Sequence, residues 1–97
     1  MFQAAVDIRN PNAQYVQKLI DLYIVRGLAK AELKRYDDAI LDYDAVIKMS
    51  PKYATAFRLK GLSEIGKGLT DAGCLDLSHA GELGANEAYD DIKVHCR

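Results

Sequence analysis

Apolar residues follow helical spacing over the stretch between the chain's two prolines, Pro11 and Pro51. β-Branched residues are sparse, and no Asn-Gly or Asp-Gly hairpin signal occurs. Breaker residues cluster at 9–12, 34–37, 49–52, 66–71 and 81–86. They divide the chain into about five predicted helices, at 12–34, 37–49, 52–66, 70–82 and 86–96, with a further helical fragment at 2–8. Ile40, Tyr43 and Ile47 form a stripe on the second helix, and Phe57, Gly61, Leu62 and Ile65 form one on the third. Asp37 and Asp38 suit the positive end of the second helix. Ser50-Pro51 reads as an N-cap followed by a first helical residue, and Thr70 and Asp71 as caps of the fourth helix. The connections are short, so neighbouring helices are expected as antiparallel hairpins.

The chain also matches itself. A shift of 34 residues places Tyr23 on Phe57, Gly27 on Gly61 and Leu28 on Leu62. The same shift places Leu41-Asp42 on Leu75-Asp76, Ala39 on Gly73, Tyr43 on Leu77 and Ala54 on Ala88. Aromatic falls on aromatic and small on small, the mark of a repeated supersecondary unit.

A 34-residue helix–turn–helix period resembles the tetratricopeptide repeat. Tyr23, Gly27, Tyr36, Ala39, Tyr43 and Pro51 follow that family's pattern in the first unit; Phe57, Gly61, Gly73, Leu77 and Ala80 follow it in the second. The second unit departs by carrying Ala85 where the closing Pro belongs. Residues 72–84, with Glu87, Tyr89 and Cys96, resemble the C-terminal ends of bacterial members. The resemblance covers about residues 20–96 and implies an all-α fold in one domain, 1–97. Its hairpins would stack as a right-handed superhelix, with repeat one at about 12–50, repeat two at about 51–84 and a capping helix at about 86–96. The motif residues are packing devices. Gly27 and Ala39 are small where helices of a hairpin approach to about 8–10 Å. Tyr23, Tyr43 and Phe57 fill the spaces between units with apolar area. Pro51, Gly61, Gly73, Leu77 and Ala80 complete this packing set.

The resemblance further implies a concave groove that holds a peptide or another protein's helix. Asp21, Ile24, Leu28 and Ala31 would line it from the first unit, and Thr55, Arg58, Leu62 and Ile65 from the second. This groove is largely apolar, with Arg58 as its clear cation, and lacks the several Lys, Arg and Asn residues that grip a chaperone's C-terminal carboxylate. The plainer alternative is that Ile24, Leu28, Leu62 and Ile65 simply pack under the termini.

The first helix is longer than the period requires. Sixteen residues separate Pro11 from Gly27 but ten separate Pro51 from Gly61, an excess of about 9 Å of helix. Its middle is apolar nearly all round. Val16, Leu19, Ile20, Tyr23 and Gly27 suffice for its own hairpin, so Leu22, Val25 and Ala29 need another cover. The fragment at 2–8 or a second copy of the chain would supply it. In the second case Leu19, Leu22, Val25 and Ala29 would carry homodimerisation and the chain would be a small self-associating structural or regulatory protein.

Composition narrows the function. The 97 residues carry 13 basic and 14 acidic side chains, net charge −1, without the basic excess of a nucleic-acid binder. No apolar run is long enough for a membrane span, and residues 1–10 lack a signal-peptide pattern. There is no Gly-rich phosphate loop, Gly-x-Ser-x-Gly elbow or His-Glu-x-x-His, so a non-catalytic, cofactor-free protein is expected. Asp37, Asp38, Asp42 and Asp44 read as a solvated face, and Asp90-Asp91 as first-turn charge. Cys74 and Cys96 read foremost as two buried free thiols in a cytoplasmic protein. A disulfide between them would indicate a periplasmic or secreted one. A metal site including His79 and His95 is disfavoured, because successive side chains on a helix point about 100° apart.

Overall fold

The computed structural model describes residues 11–96. Five helices follow in order: α1 Pro11–Glu32, α2 Tyr36–Met49, α3 Ala54–Gly66, α4 Thr70–Glu82 and α5 Glu87–His95. No strand occurs among the described residues. The fragment predicted at 2–8 lies outside them. The fold is all-α, each helix packed on the next in antiparallel sense, and the array measures 53 × 27 × 16 Å.

Backbone geometry rather than side-chain caps closes the helix ends. After α1 the Arg35 amide donates to the Lys30 carbonyl at 2.9 Å, after α3 Leu69 donates to Glu64 at 2.8 Å, and after α4 Ala85 donates to Ala80 at 2.9 Å. Each is the six-to-one bond of a Schellman motif, which needs a left-handed residue just before the donor. Lys34 (φ 62°), Gly68 (φ 93°) and Gly84 (φ 113°) supply it. Lys34 and Gly68 are one 34-residue period apart, so the first turn carries a strained side chain where the second carries glycine. Lys34→Gly is therefore expected to stabilise the chain by about 1 kcal/mol. Thermal melting would show a rise of roughly 4–8 °C, and a fall would contradict the turn assignment.

Two predicted helix caps are corrected. Ser50 does not cap α3; its amide donates to Val46 at 2.8 Å and ends α2, and Tyr53 then closes a turn onto the Ser50 carbonyl at 3.0 Å. Pro51 sits exposed in that turn, where its fixed φ and missing N–H fit as well as they would at a helix start. Thr70 is the first residue of α4, preceded by Leu69, and no side-chain hydrogen bond caps it. With α3 beginning at Ala54, α1 is nine residues longer at its start than the period requires, and not six.

Two small clusters form the core. Ile20, Val46 and Ala56 join α1, α2 and α3, with Tyr23 and Ile47 at the margin. Leu77, Ala80, Ala85 and Ala88 join α4 and α5, with Phe57, Ile65 and Ile92 packed against them. The buried stripe of α2 is Ala39, Asp42, Tyr43 and Val46, so Ile40 and Ile47 flank it rather than form it. Gly27 lies under the Tyr43 ring, and Gly61 and Gly73 face each other across α3 and α4.

Cys74 and Cys96 form a disulfide, with Cα atoms 6.0 Å apart. This overturns the reading of two free thiols. The approach is closer than an ordinary helix pair allows because small residues line the α4–α5 contact: Ala80, Ala85 and Ala88 are buried, and a Cβ on Gly81 would meet the Tyr89 ring at 2.7 Å.

Candidate partner-binding surfaces

A recess opens between α1 and α3 with α2 beneath it. Leu28, Ala31, Leu59 and Leu62 form its apolar walls, with Tyr36, Tyr43 and Ser63 behind, and it encloses about 150 Å³. Leu28 is 42% exposed and stands at its rim. The helix period brings these residues together: Leu28 and Ala31 lie three apart on α1, as Leu59 and Leu62 do on α3. The buried Tyr43 ring forms a floor. Burial pushes its phenol up to about 12, while a hydrogen bond from Ser63 acts in the opposite sense.

Of the eight residues expected to line one groove, Leu28, Ala31 and Leu62 meet in this recess. Ile24 is half-buried against the first core cluster, and Ile65 packs on the second, where its Cγ1 would stand 2.5 Å from a Cβ on Gly73. Thr55 lines a separate, polar cleft of about 340 Å³ with Lys52, Leu83 and Glu87. Asp21 is exposed and accepts a hydrogen bond from Gln17 at 3.0 Å. Arg58 is not a free groove cation: its Nε donates to Asp91 at 2.6 Å, tying α3 to α5. Leu59 joins the recess without having been expected there. Its signal was available, because it lies three residues before Leu62 on the same face of α3.

The second surface lies on the other side of α1. Leu19, Leu22, Val25 and Ala29, with Tyr23 and Arg26, line an open recess of about 480 Å³. Leu22, Val25 and Ala29 are the residues for which the sequence asked a cover; Val16 and Leu19, expected inside the α1 hairpin, are 37% and 45% exposed. Leu22 and Val25 are 66% and 65% exposed, so among the described residues nothing covers them.

Of the four acids expected on a solvated face, Asp37, Asp38 and Asp44 keep exposed side chains, but Asp42 does not. Asp42 is 2% exposed and accepts hydrogen bonds from Arg26 Nε at 3.0 Å and Nη2 at 2.6 Å, with Lys30 Nζ at 3.1 Å. The Arg26 hydrogen bonds hold its carboxyl below the usual range, so this contribution to stability is present above about pH 4 and lost as the pH falls. One period later the same three positions carry Lys60, Glu64 and Asp76. A carboxylate has replaced a lysine, and Lys60 pairs with Asp44 at 2.9 Å instead. Glu64 Oε1 is buried without a hydrogen-bond partner. Burial, aided by Asp76, pushes the Glu64 carboxyl up to about 7. Its folded value lies above its unfolded 4.5, so the folded state loses stability as the pH rises between the two. Glu64→Gln keeps the shape and a donor toward Asp76 without the charge. The variant is expected to be about 1 kcal/mol more stable than the parent at pH 8 and equal to it below pH 4.5. Denaturant midpoints at the two pH values check this, and an equal offset at both would contradict it.

Glu64 lines none of these three recesses. No group of three or more His, Cys, Asp or Glu among the described residues has the geometry to hold a metal ion. No described helix is long and apolar enough to cross a membrane. The chain matches no family model, no curated protein and no solved structure.

Proposed function

We propose that this chain is a non-catalytic protein–protein interaction module of tetratricopeptide-repeat type, its hairpins forming a right-handed superhelical array. The inner recess takes a bulky apolar side chain from a peptide or helix of another protein. The observation that carries this is the apolar wall of Leu28, Ala31, Leu59 and Leu62, contributed by α1 and α3 over the buried Tyr43 ring. Such pockets with a rigid aromatic floor are where interfaces concentrate binding energy. Arg58 is spent on Asp91, so recognition rests on shape and apolar contact rather than on a carboxylate. The Cys74–Cys96 disulfide supports an oxidising, periplasmic or extracellular site of action over a cytoplasmic one.

Selection from a random peptide library, followed by calorimetric titration of the winners, tests the reading. Peptides with a leucine, phenylalanine or similar anchor are expected. Leu28→Glu and Ala31→Glu are expected to weaken them at least about tenfold, a loss of about 1.4 kcal/mol. Winners insensitive to both variants would refute the recess as the site. The open face of α1 favours a second use of the chain, self-association, which rests on different residues.

A further inference from the structure

We propose that the Cys74–Cys96 disulfide is a reversible latch on α5. A dithiol reductant opens it in the folded chain, and α5 then leaves α3 and α4 while the rest of the array stays folded. This goes beyond the recess and does not depend on it. The bond joins α4 to the residue that follows α5, and the turn at 83–86 joins the other ends of the same two helices. α5 is therefore tied at both ends, and cutting the disulfide leaves it hanging from the turn.

Little else holds α5. It packs on α4 and α3 alone. Of its nine residues only Ala88 is buried, with Asp91 and Ile92 half-buried. A helix of this length is not stable by itself in water. The Arg58–Asp91 pair stays within reach of solvent, at 28% and 18% side-chain exposure, which screens it. The array beneath does not need α5. Gly61 and Gly73 bring α3 and α4 together backbone to backbone, and the first core cluster of Ile20, Val46 and Ala56 contains no residue of α5. α5 contributes to the second cluster, where Ala88 and Ile92 join Leu77 and Ala80 of α4. Opening the latch uncovers that end of the array and frees the Arg58 guanidinium from Asp91.

The bond is open to reagents. Cys74 and Cys96 are both half-buried rather than enclosed, and Cys96 follows the last residue of α5, the exposed His95. Disulfides that solvent reaches exchange with external thiols, whereas enclosed structural ones resist them. The thiolate of a dithiol attacks one sulfur and forms a mixed disulfide as the S–S bond breaks. The other cysteine leaves as a thiolate and takes a proton from water. The second thiol of the reductant, giving up its proton, then displaces the first cysteine, which is protonated in turn. Two electrons pass from dithiol to disulfide: the chain ends with two thiols and the reductant as a cyclic disulfide.

Treating the oxidised full chain with dithiothreitol, without denaturant, tests this. Both cysteines are expected to become titratable with a maleimide. Amides of α5 are expected to lose hydrogen-exchange protection on the order of a hundredfold, while those of α1 and α2 keep theirs. Reoxidation with oxidised glutathione is expected to restore α5. Asp91→Asn with the bond intact is expected to lower α5 protection by less than about tenfold. Cys74→Ser/Cys96→Ser is expected to show the open α5 with or without reductant. A bond that yields only in denaturant would be a fixed staple and overturns the proposal. So does an α5 equally protected in the reduced chain, or protection lost from α1 and α2 together with α5.

Discussion

Gly61→Ala is expected to lower stability by about 2 kcal/mol or more, against a chain of this size that holds only about 5–15 kcal/mol in total. A Cβ on Gly61 would stand 2.7 Å from the Gly73 carbonyl oxygen and 3.1 Å from Leu77 Cγ. A Cβ on Gly73 would stand 2.6 Å from the Gly61 carbonyl oxygen. Both obstacles are backbone, so no rotamer change relieves them and α3 and α4 must separate. The helix gains about 1 kcal/mol from alanine over glycine, which offsets part of the cost without reversing its sign. Thermal melting would show a fall of roughly 8–16 °C. An unchanged melting temperature would mean that α3 and α4 do not cross glycine to glycine. Gly27 is the milder relative. Its obstacle is the Tyr43 ring at 2.5 Å, a side chain, but one 1% exposed and without room to turn. Gly27→Leu is thus disruptive for the reason its position in the period suggested.

Removing the disulfide is expected to cost about 3 kcal/mol, from the chain entropy that a loop of 22 residues returns to the unfolded state. The Cys74→Ala/Cys96→Ala variant should melt roughly 12–24 °C below the parent. The loss should be local first. α5 is nine residues long and is held by the disulfide, by Ala85 and Ala88 in the second core cluster and by the Arg58–Asp91 pair. Hydrogen exchange is expected to show α5 amides losing protection while α1 and α2 keep theirs. Two titratable thiols in the unreduced, denatured parent chain would contradict the bond itself.

Much of the helix plan was legible because breaker residues cluster at the chain reversals, Pro51 after α2, Gly68 after α3 and Gly84 after α4. The expected starts of α2 and α4 fall within one residue of the observed ones. The start of α3 was misread because Ser-Pro satisfies a turn and a helix N-terminus equally, and only the bond from Tyr53 back to Ser50 separates them. Asp42 was misread as solvated because a carboxylate looks the same in sequence whether or not a guanidinium waits across the hairpin. The 34-residue shift held the clue, since it superposes Arg26, Lys30 and Asp42 on three charged residues. The disulfide was ranked behind two free thiols because the closeness of α4 and α5 depends on the small residues between them, and those were read as repeat motif. The groove was half legible. Periodicity places Leu28, Ala31 and Leu62 on one surface, but it does not reveal that Ile65 turns into the core or that Asp91 neutralises Arg58. Leu22, Val25 and Ala29 were legible as uncovered, because excess apolar surface on a helix is a property of its own sequence, but Leu19 was read into the hairpin and is 45% exposed.

The interaction-module reading is tested most directly by methyl nuclear magnetic resonance, with a library-selected peptide titrated into the full chain. The account predicts that the largest shift changes fall on Leu28, Ala31, Leu59 and Leu62, and that Leu41 and Leu75 on the outer faces of α2 and α4 do not move. Changes centred on the polar cleft of Lys52, Thr55 and Glu87, or spread evenly over the surface, would contradict it.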